Sequence, residues 1–223
     1  MSVYKNLVVC DLHQMLPQAL AEIEEIKNVT LLILPEHPDI EFAKAYGAIK
    51  KKNIVATVFY PADALLTTFS GSTVLSAKLL EQDIHIVSTG RTIVEELPQK
   101  WNAKVNAVGQ LIYPKGSGGI FDSVTGECLG LDYEHYVSIS EEVTITPDFL
   151  NLLEKKTLVH CSEEISIAAE VTLEMLTEKM PYLWSDKKIL CEKEVLPFVR
   201  LRGKEPSKME LAMMQEQSDV PKI

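Results

Sequence analysis

A turn made of glycines can hold an anion, because its backbone amides point outward with no side chains in the way. One such stretch occurs here, Gly116-Ser117-Gly118-Gly119. It lacks the downstream Lys-Ser/Thr of a phosphate loop and opens no evident helix, and GxGxxG follows none of the strands. These four residues are the candidates for anion or nucleotide binding, against the simpler reading of a flexible turn. Thiols and imidazoles can bind zinc. Cys10 lies close to His13, His160 adjoins Cys161, and Cys191 takes the repeat position of Cys161. Stacked strands would bring like positions to about 4.8 Å. Yet neighbours along a strand face opposite sides, so His160 and Cys161 cannot reach one inward site, and a core cysteine packs as a small hydrophobe. No metal ligand is assigned.

Hydrolysis would need a nucleophile, a base and an orienting acid. His37 sits between Glu36 and Pro38, and His135 lies in DYEHY, so loop imidazoles do have carboxylates nearby. Neither a GxSxG elbow nor an HExxH helix supplies the rest. The pairs Glu95-Glu96, Glu141-Glu142 and Glu163-Glu164 follow strands at what read as helix starts, where the helix dipole favours acid. No catalytic residue and no cofactor is assigned. Tyr60, Tyr113, Phe59, Tyr133 and Tyr136 can line one surface, as aromatic residues do at interfaces, or pack as a ladder between strands.

The elements that would position these groups recur along the chain. Short β-prone runs cover residues 7–9, 31–34, 58–60, 84–87, 111–113, 137–139, 158–161 and 189–191, each stopped by Pro, Ser, Cys or an acid. From stop to stop the intervals are 25, 26, 27, 26, 26, 22 and 30 residues. Helical stripes lie between them, at residues 15–26, 38–51, 147–156 and 170–180, the last ended by Pro181. Residues 115–131 hold five of the ten glycines and read as a Gly-rich turn with a hairpin. Residues 1–203 therefore read as one repeat domain, and 204–223 as a mobile or capping tail with a helix at 208–217.

Strand-helix units near 26 residues predict an α/β fold. The preferred form is a parallel β-solenoid of about eight strand-turn-helix units, in which each strand lies against its predecessor. The alternative is a doubly wound sheet, whose strand order reverses once. Units such as NVTLLILPEHPD, NIVATVFYPAD and TLVHCSEEIS resemble leucine-rich-repeat horseshoes and uncharacterised bacterial strand-helix repeat proteins, over about residues 4–203. The consensus LxxLxLxxN/C is not matched, since asparagine here precedes the strand. The resemblance thus implies a solenoid layout and carries over no functional residue.

Composition narrows the function. Of 223 residues, 46% are hydrophobic and 24% charged, which supports a folded core, and the net charge of −10 repels phosphate backbones and anionic lipid. Basic residues run no longer than Lys50 to Lys52. Nucleic acid and membrane are therefore not expected partners. The start shows no signal-peptide pattern and the four cysteines form no CxxC, so a cytoplasmic protein with reduced thiols is expected. The expected function is a non-enzymatic scaffold that binds another protein or forms a homo-oligomer, its first strand being uncapped. The alternative is a doubly wound enzyme or nucleotide-binding domain.

Overall fold

The computed structural model describes residues 2–116 and 121–204. The fold is mixed α/β, 50% strand and 18% helix, with mostly parallel strands. Two compact units divide the chain, the first ending at Gly130 and the second beginning at Leu131 and taking in Glu95–Leu97.

The first unit opens with β1 (Ser2–Asp11), α1 (Pro17–Leu20), β2 (Ile23–Pro35), α2 (Ile40–Ala48) and β3 (Lys50–Tyr60). These strands form a parallel sheet in chain order, Leu7 beside Val29 and Val29 beside Ile54. Both faces of β2 are covered, and that is why its run Leu31 to Leu34 is apolar throughout. Leu32 and Leu34 pack under the helices with Leu20 and Phe42, while Leu31 and Ile33 meet Tyr60, Val87 and Val108. Each fully buried aliphatic side chain of this kind stabilises the fold by about 1.5–3 kcal/mol. Helix α2 starts because Asp39 accepts the Phe42 amide at 2.6 Å, a cap that satisfies one orphan donor.

A second sheet follows, with β4 (Leu66–Leu75), α3 (Ala77–Leu80), β5 (His85–Val94), β6 (Lys104–Pro114) and β7 (Phe121–Leu131) in the order β4-β5-β6-β7. Leu66, His85 and Lys104 share a row, so β4, β5 and β6 are displaced from one to the next by 19 residues. Between β6 and β7 the offset is constant at 17, since Asn106 meets Ser123, Gly109 meets Gly126 and Gln110 meets Glu127. A constant difference is the mark of parallel pairing. The expected hairpin over 115–131 is thus corrected to a turn and one long strand.

Both sheets bend at a row of left-handed residues. In the first the row is Asn6, Asn28 and Asn53, with φ of 56°, 53° and 54°. Asn28 donates to Asn6 and Asn53 donates to Asn28, each at 2.9 Å. In the second the row is Gly71, Gly90, Gly109 and Gly126, all with positive φ. There the carbonyl of each glycine fills the place where a Cβ on the next would sit.

In the second unit two short strands are followed by a helix, three times in succession. The first set is β8 (His135–Ile139), β9 (Val143–Ile145) and α4 (Pro147–Asn151); the second is β10 (Thr157–Cys161), β11 (Ile165–Ile167) and α5 (Leu173–Lys179). The third is β12 (Tyr182–Ser185), β13 (Ile189–Leu190) and α6 (Leu196–Arg202), closed by β14 (Gly203–Lys204). The sheets run β14-β12-β10-β8 and β13-β11-β9, and their strands pair in parallel. Their inner faces and the helices share one core, including Val159, Cys161, Ile165, Leu176, Leu183 and Phe198.

Several expectations need correction. The stripe at 15–26 is helical only over α1, because from Ile23 onward the backbone pairs with β1 instead. Helix α2 stops at Ala48, and Lys50 to Lys52 begin β3. Helices α4 and α5 are shorter than the stretches 147–156 and 170–180. The near-constant 26-residue spacing is not the register: Cys10 lies beside Leu32, and Ser88 beside Phe69 and Ala107. Strand β4 interrupts that count, and it does not pair with β3, so the side-by-side series breaks there. Within each sheet, however, neighbours follow chain order, and no reversal of the doubly wound kind occurs among the described strands. The tail expected at 204–223 falls, beyond Lys204, outside the described residues.

Candidate functional site

Histidine marks the two places where polar side chains converge. In the second unit His160 is buried on the face of β10 opposite to the core, its Nε2 2.9 Å from Asp186 Oδ1 and its Nδ1 3.0 Å from the Tyr136 hydroxyl. A carboxylate at Asp186 fixes the ring proton on Nε2, which leaves Nδ1 to accept from the tyrosine. Tyr136 belongs to β8, His160 to β10, and Asp186 follows β12. The three groups therefore tie β8, β10 and the turn after β12 together, with both imidazole nitrogens hydrogen-bonded. Cys161, on the other side of the same strand, packs in the core, as its neighbour's opposite facing requires.

In the first unit His13 follows the end of β1. Its Nδ1 lies 2.6 Å from Asp11 Oδ1, the His13 amide donates to the same oxygen at 3.0 Å, and its buried Nε2 has no hydrogen-bond partner among the described residues. Asp and His so placed are two-thirds of a hydrolytic triad. The third member is missing among the described residues. Cys10, the nearest nucleophile in sequence, points into the helix-sheet core, where burial and then the Asp11 charge push its thiol up to about 11. Expected chemistry follows from that value. At neutral pH Cys10 carries about a hundredfold less thiolate than an ordinary cysteine, so a disulfide reagent should modify exposed Cys128 in the folded protein and reach Cys10 and Cys161 only on unfolding. Labelling of Cys10 at the Cys128 rate, read by peptide mass spectrometry, would overturn this.

The other sequence candidates scatter. Gly116 is in a left-handed turn with open space where a side chain would be, and Ser117, Gly118 and Gly119 lie outside the described residues. Cys191 is not equivalent to Cys161: the partner of Cys161 on the next strand is Ser185. Among the described residues no group of three or more His, Cys, Asp and Glu is placed to hold a metal ion. Glu141-Glu142 and Glu163-Glu164 occupy strand-to-strand corners and not helix starts, where Lys187 pairs with Glu163 and Lys188 with Glu164 at 2.8 Å. Glu96 binds Lys155 at 2.9 Å, and that hydrogen bond holds its carboxyl below the usual range. His37 is exposed, and His135 lies 3.9 Å from Glu96.

The aromatic residues do not form one surface. Tyr60 is buried against His85, ring centres 5.1 Å apart, and its hydroxyl accepts from Asn106. Tyr113 packs on Phe121, Tyr133 and Tyr136 are buried in the second unit, and Phe59 alone of the five is exposed. What sequence reasoning missed is the pair of left-handed rows and the edges they run to. Strands β1 and β3 bound the first sheet, and β4 and β7 bound the second. Among the described residues, no helix is long and apolar enough to cross a membrane. Comparison of the chain with protein-family models, curated proteins and solved structures finds no match.

Proposed function

We propose that the chain is a non-enzymatic scaffold, a short parallel solenoid of strand-turn-helix units that works in the cytoplasm by binding protein, including further copies of itself. The observation that carries this reading is the strand order, in which neighbours follow the chain within every sheet. Stacking of that kind spreads the surface over many similar units and lacks the crevice that a reversal creates in ligand-binding α/β sheets. It leaves strand edges, which template pairing with another chain. Strand β1 is such an edge, with Val3 44% and Val8 49% exposed. The Asn6 amide group ends the asparagine row there, with only its oxygen engaged among the described residues.

Edge pairing through β1 makes association concentration-dependent. Sedimentation of the full chain should show reversible self-association that Val3→Lys with Val8→Lys weakens by about tenfold or more, lysine being the common device that blunts an edge. A strict monomer across the whole concentration range, unchanged by those substitutions, would count against self-assembly.

A further inference from the structure

The helix layer of the first sheet stops one helix short. Helices α1 and α2 cover one face, sealing Cys10, Leu12, Leu32 and Leu34 beneath them. In the register of β2 and β3, Leu32 lies beside Thr57 and Leu34 beside Phe59, so Thr57 and Phe59 belong to that same face. Ala56 and Val58 face the other way and pack with Val87 and Val108. Yet Val55 is 68% exposed and Phe59 59%, values unusual for large apolar residues on a sheet face where the next strand buries Leu32 and Leu34. The reason is connectivity. After β1 and after β2 the chain forms a helix over the sheet, but after β3 it passes directly through residues 61–65 into β4 of the other sheet.

The charges around this uncovered floor are polarised. Lys51, exposed at the start of β3 beside Ile26, faces the helix side and donates to the Tyr46 carbonyl at 2.7 Å, and Lys50 and Lys52 alternate to the other face, while Glu36, Asp39, Glu41 and Asp63 are exposed at the opposite end, around the end of β2, the start of α2 and the exit from β3. Helix α2 runs from the ends of the strands back to their starts. A helix laid over Val55 and Phe59 in the same sense would put its positive N-terminus at the acids and its negative C-terminus at Lys51.

We infer that this floor takes an amphipathic helix of another protein, with an apolar stripe, basic residues in its first turn and acidic residues in its last. The inference rests on the scaffold reading and names its partner's chemistry. That charge order opposes an isolated helix's own dipole, so it is selected by the surface and not by intrinsic helicity. Helix-on-surface recognition through residues at i, i+3, i+4 and i+7 is a common mode, and a floor without a roof suits it.

The test uses the full chain and a fluorescent synthetic peptide of about 14 residues, four turns, with a leucine stripe, lysines first and glutamates last. A second peptide reverses the charges and is the better isolated helix. Anisotropy should show binding of the first peptide and about tenfold weaker binding of the second. Val55→Asp and Phe59→Asp should each weaken the first by about tenfold or more, and Lys51→Glu should erase the preference between the two. All three sites are exposed, and circular dichroism checks that the variants fold. No binding of either peptide, or equal binding of both, overturns the inference while leaving association through β1 intact. Binding that appears only after removal of residues 205–223 assigns the floor to the chain's own end and overturns it too. A homodimer that Phe59→Asp dissociates, but Val8→Lys does not, assigns it to a second copy with the same result.

Discussion

Replacing Gly109 with alanine should cost about 2–5 kcal/mol, a large share of the 5–15 kcal/mol that holds a typical domain together. Two effects add. The residue has φ of 122°, a backbone region in which a side chain strains the chain by about 1–2 kcal/mol. Its Cβ would also fall on the carbonyl of Gly90, within 3.1 Å of that carbonyl carbon and closer still to its oxygen, and overpacking adds about 1–3 kcal/mol. Backbone cannot swing aside as a side-chain tip can, because Gly90 is itself paired on its other side to Gly71. Gly71→Ala supplies the control. That glycine has positive φ but nothing within 4 Å of the place a methyl would take, so only the strain remains, about 1–2 kcal/mol. Urea unfolding should rank Gly109→Ala well below Gly71→Ala in midpoint. Equal losses would mean that the strands do not pack as closely as the row requires.

The same row explains what could be read from the chain and what could not. Parallel α/β architecture was legible, because apolar runs such as residues 31–34 and 158–161 alternate with capped helical stretches and find both faces covered. Register was not, because strand stops are poor markers of height in a stack. A strand ends where its own loop begins, and loops differ in length from unit to unit. The residues at the bends cannot drift in this way, since each must sit on its neighbour. Gly71, Gly90 and Gly109 recur at the 19-residue offset of their sheet, and Asn6, Asn28 and Asn53 at the offsets of theirs. Spacing of glycine and asparagine, not of prolines after strands, is the signal that carries the pairing.

Misread helices have a related cause. Leu20, Ile23 and Ile26 are spaced as on a helix face, and all three are buried, but Ile23 and Ile26 are buried in β2. A strand that bends within a few residues does not keep the strict alternation by which strands are told from helices. At the candidate sites, the opposite facing of His160 and Cys161 followed from strand geometry alone. The bond from His160 to Asp186 did not, since its partner is 26 residues away and depends on a register that the strand stops misplace.

Asn28→Ala should destabilise the protein by about 2–3 kcal/mol, and the comparison with Asn28→Gly should divide that loss in two. Asparagine is among the few residues other than glycine that visit the left-handed region routinely, and at φ 53° alanine would pay about 1–2 kcal/mol that glycine does not. Both variants lose the same pair of amide bonds, to Asn6 and from Asn53, which are exposed to water and so contribute at the low end of about 0.5–1.5 kcal/mol each. Glycine should therefore fall short of wild type by the bonds alone, plus its own larger loss of unfolded-chain entropy. Asn6 and Asn53 each hold one end of the row and one bond, so the matching substitutions there should cost less than at Asn28. If alanine and glycine at position 28 unfold at the same urea concentration, the bend is not what asparagine is there to supply, and the row is reduced to its hydrogen bonds. If the end positions cost as much as the middle one, the bonds are not additive along the row and the backbone conformation carries the effect.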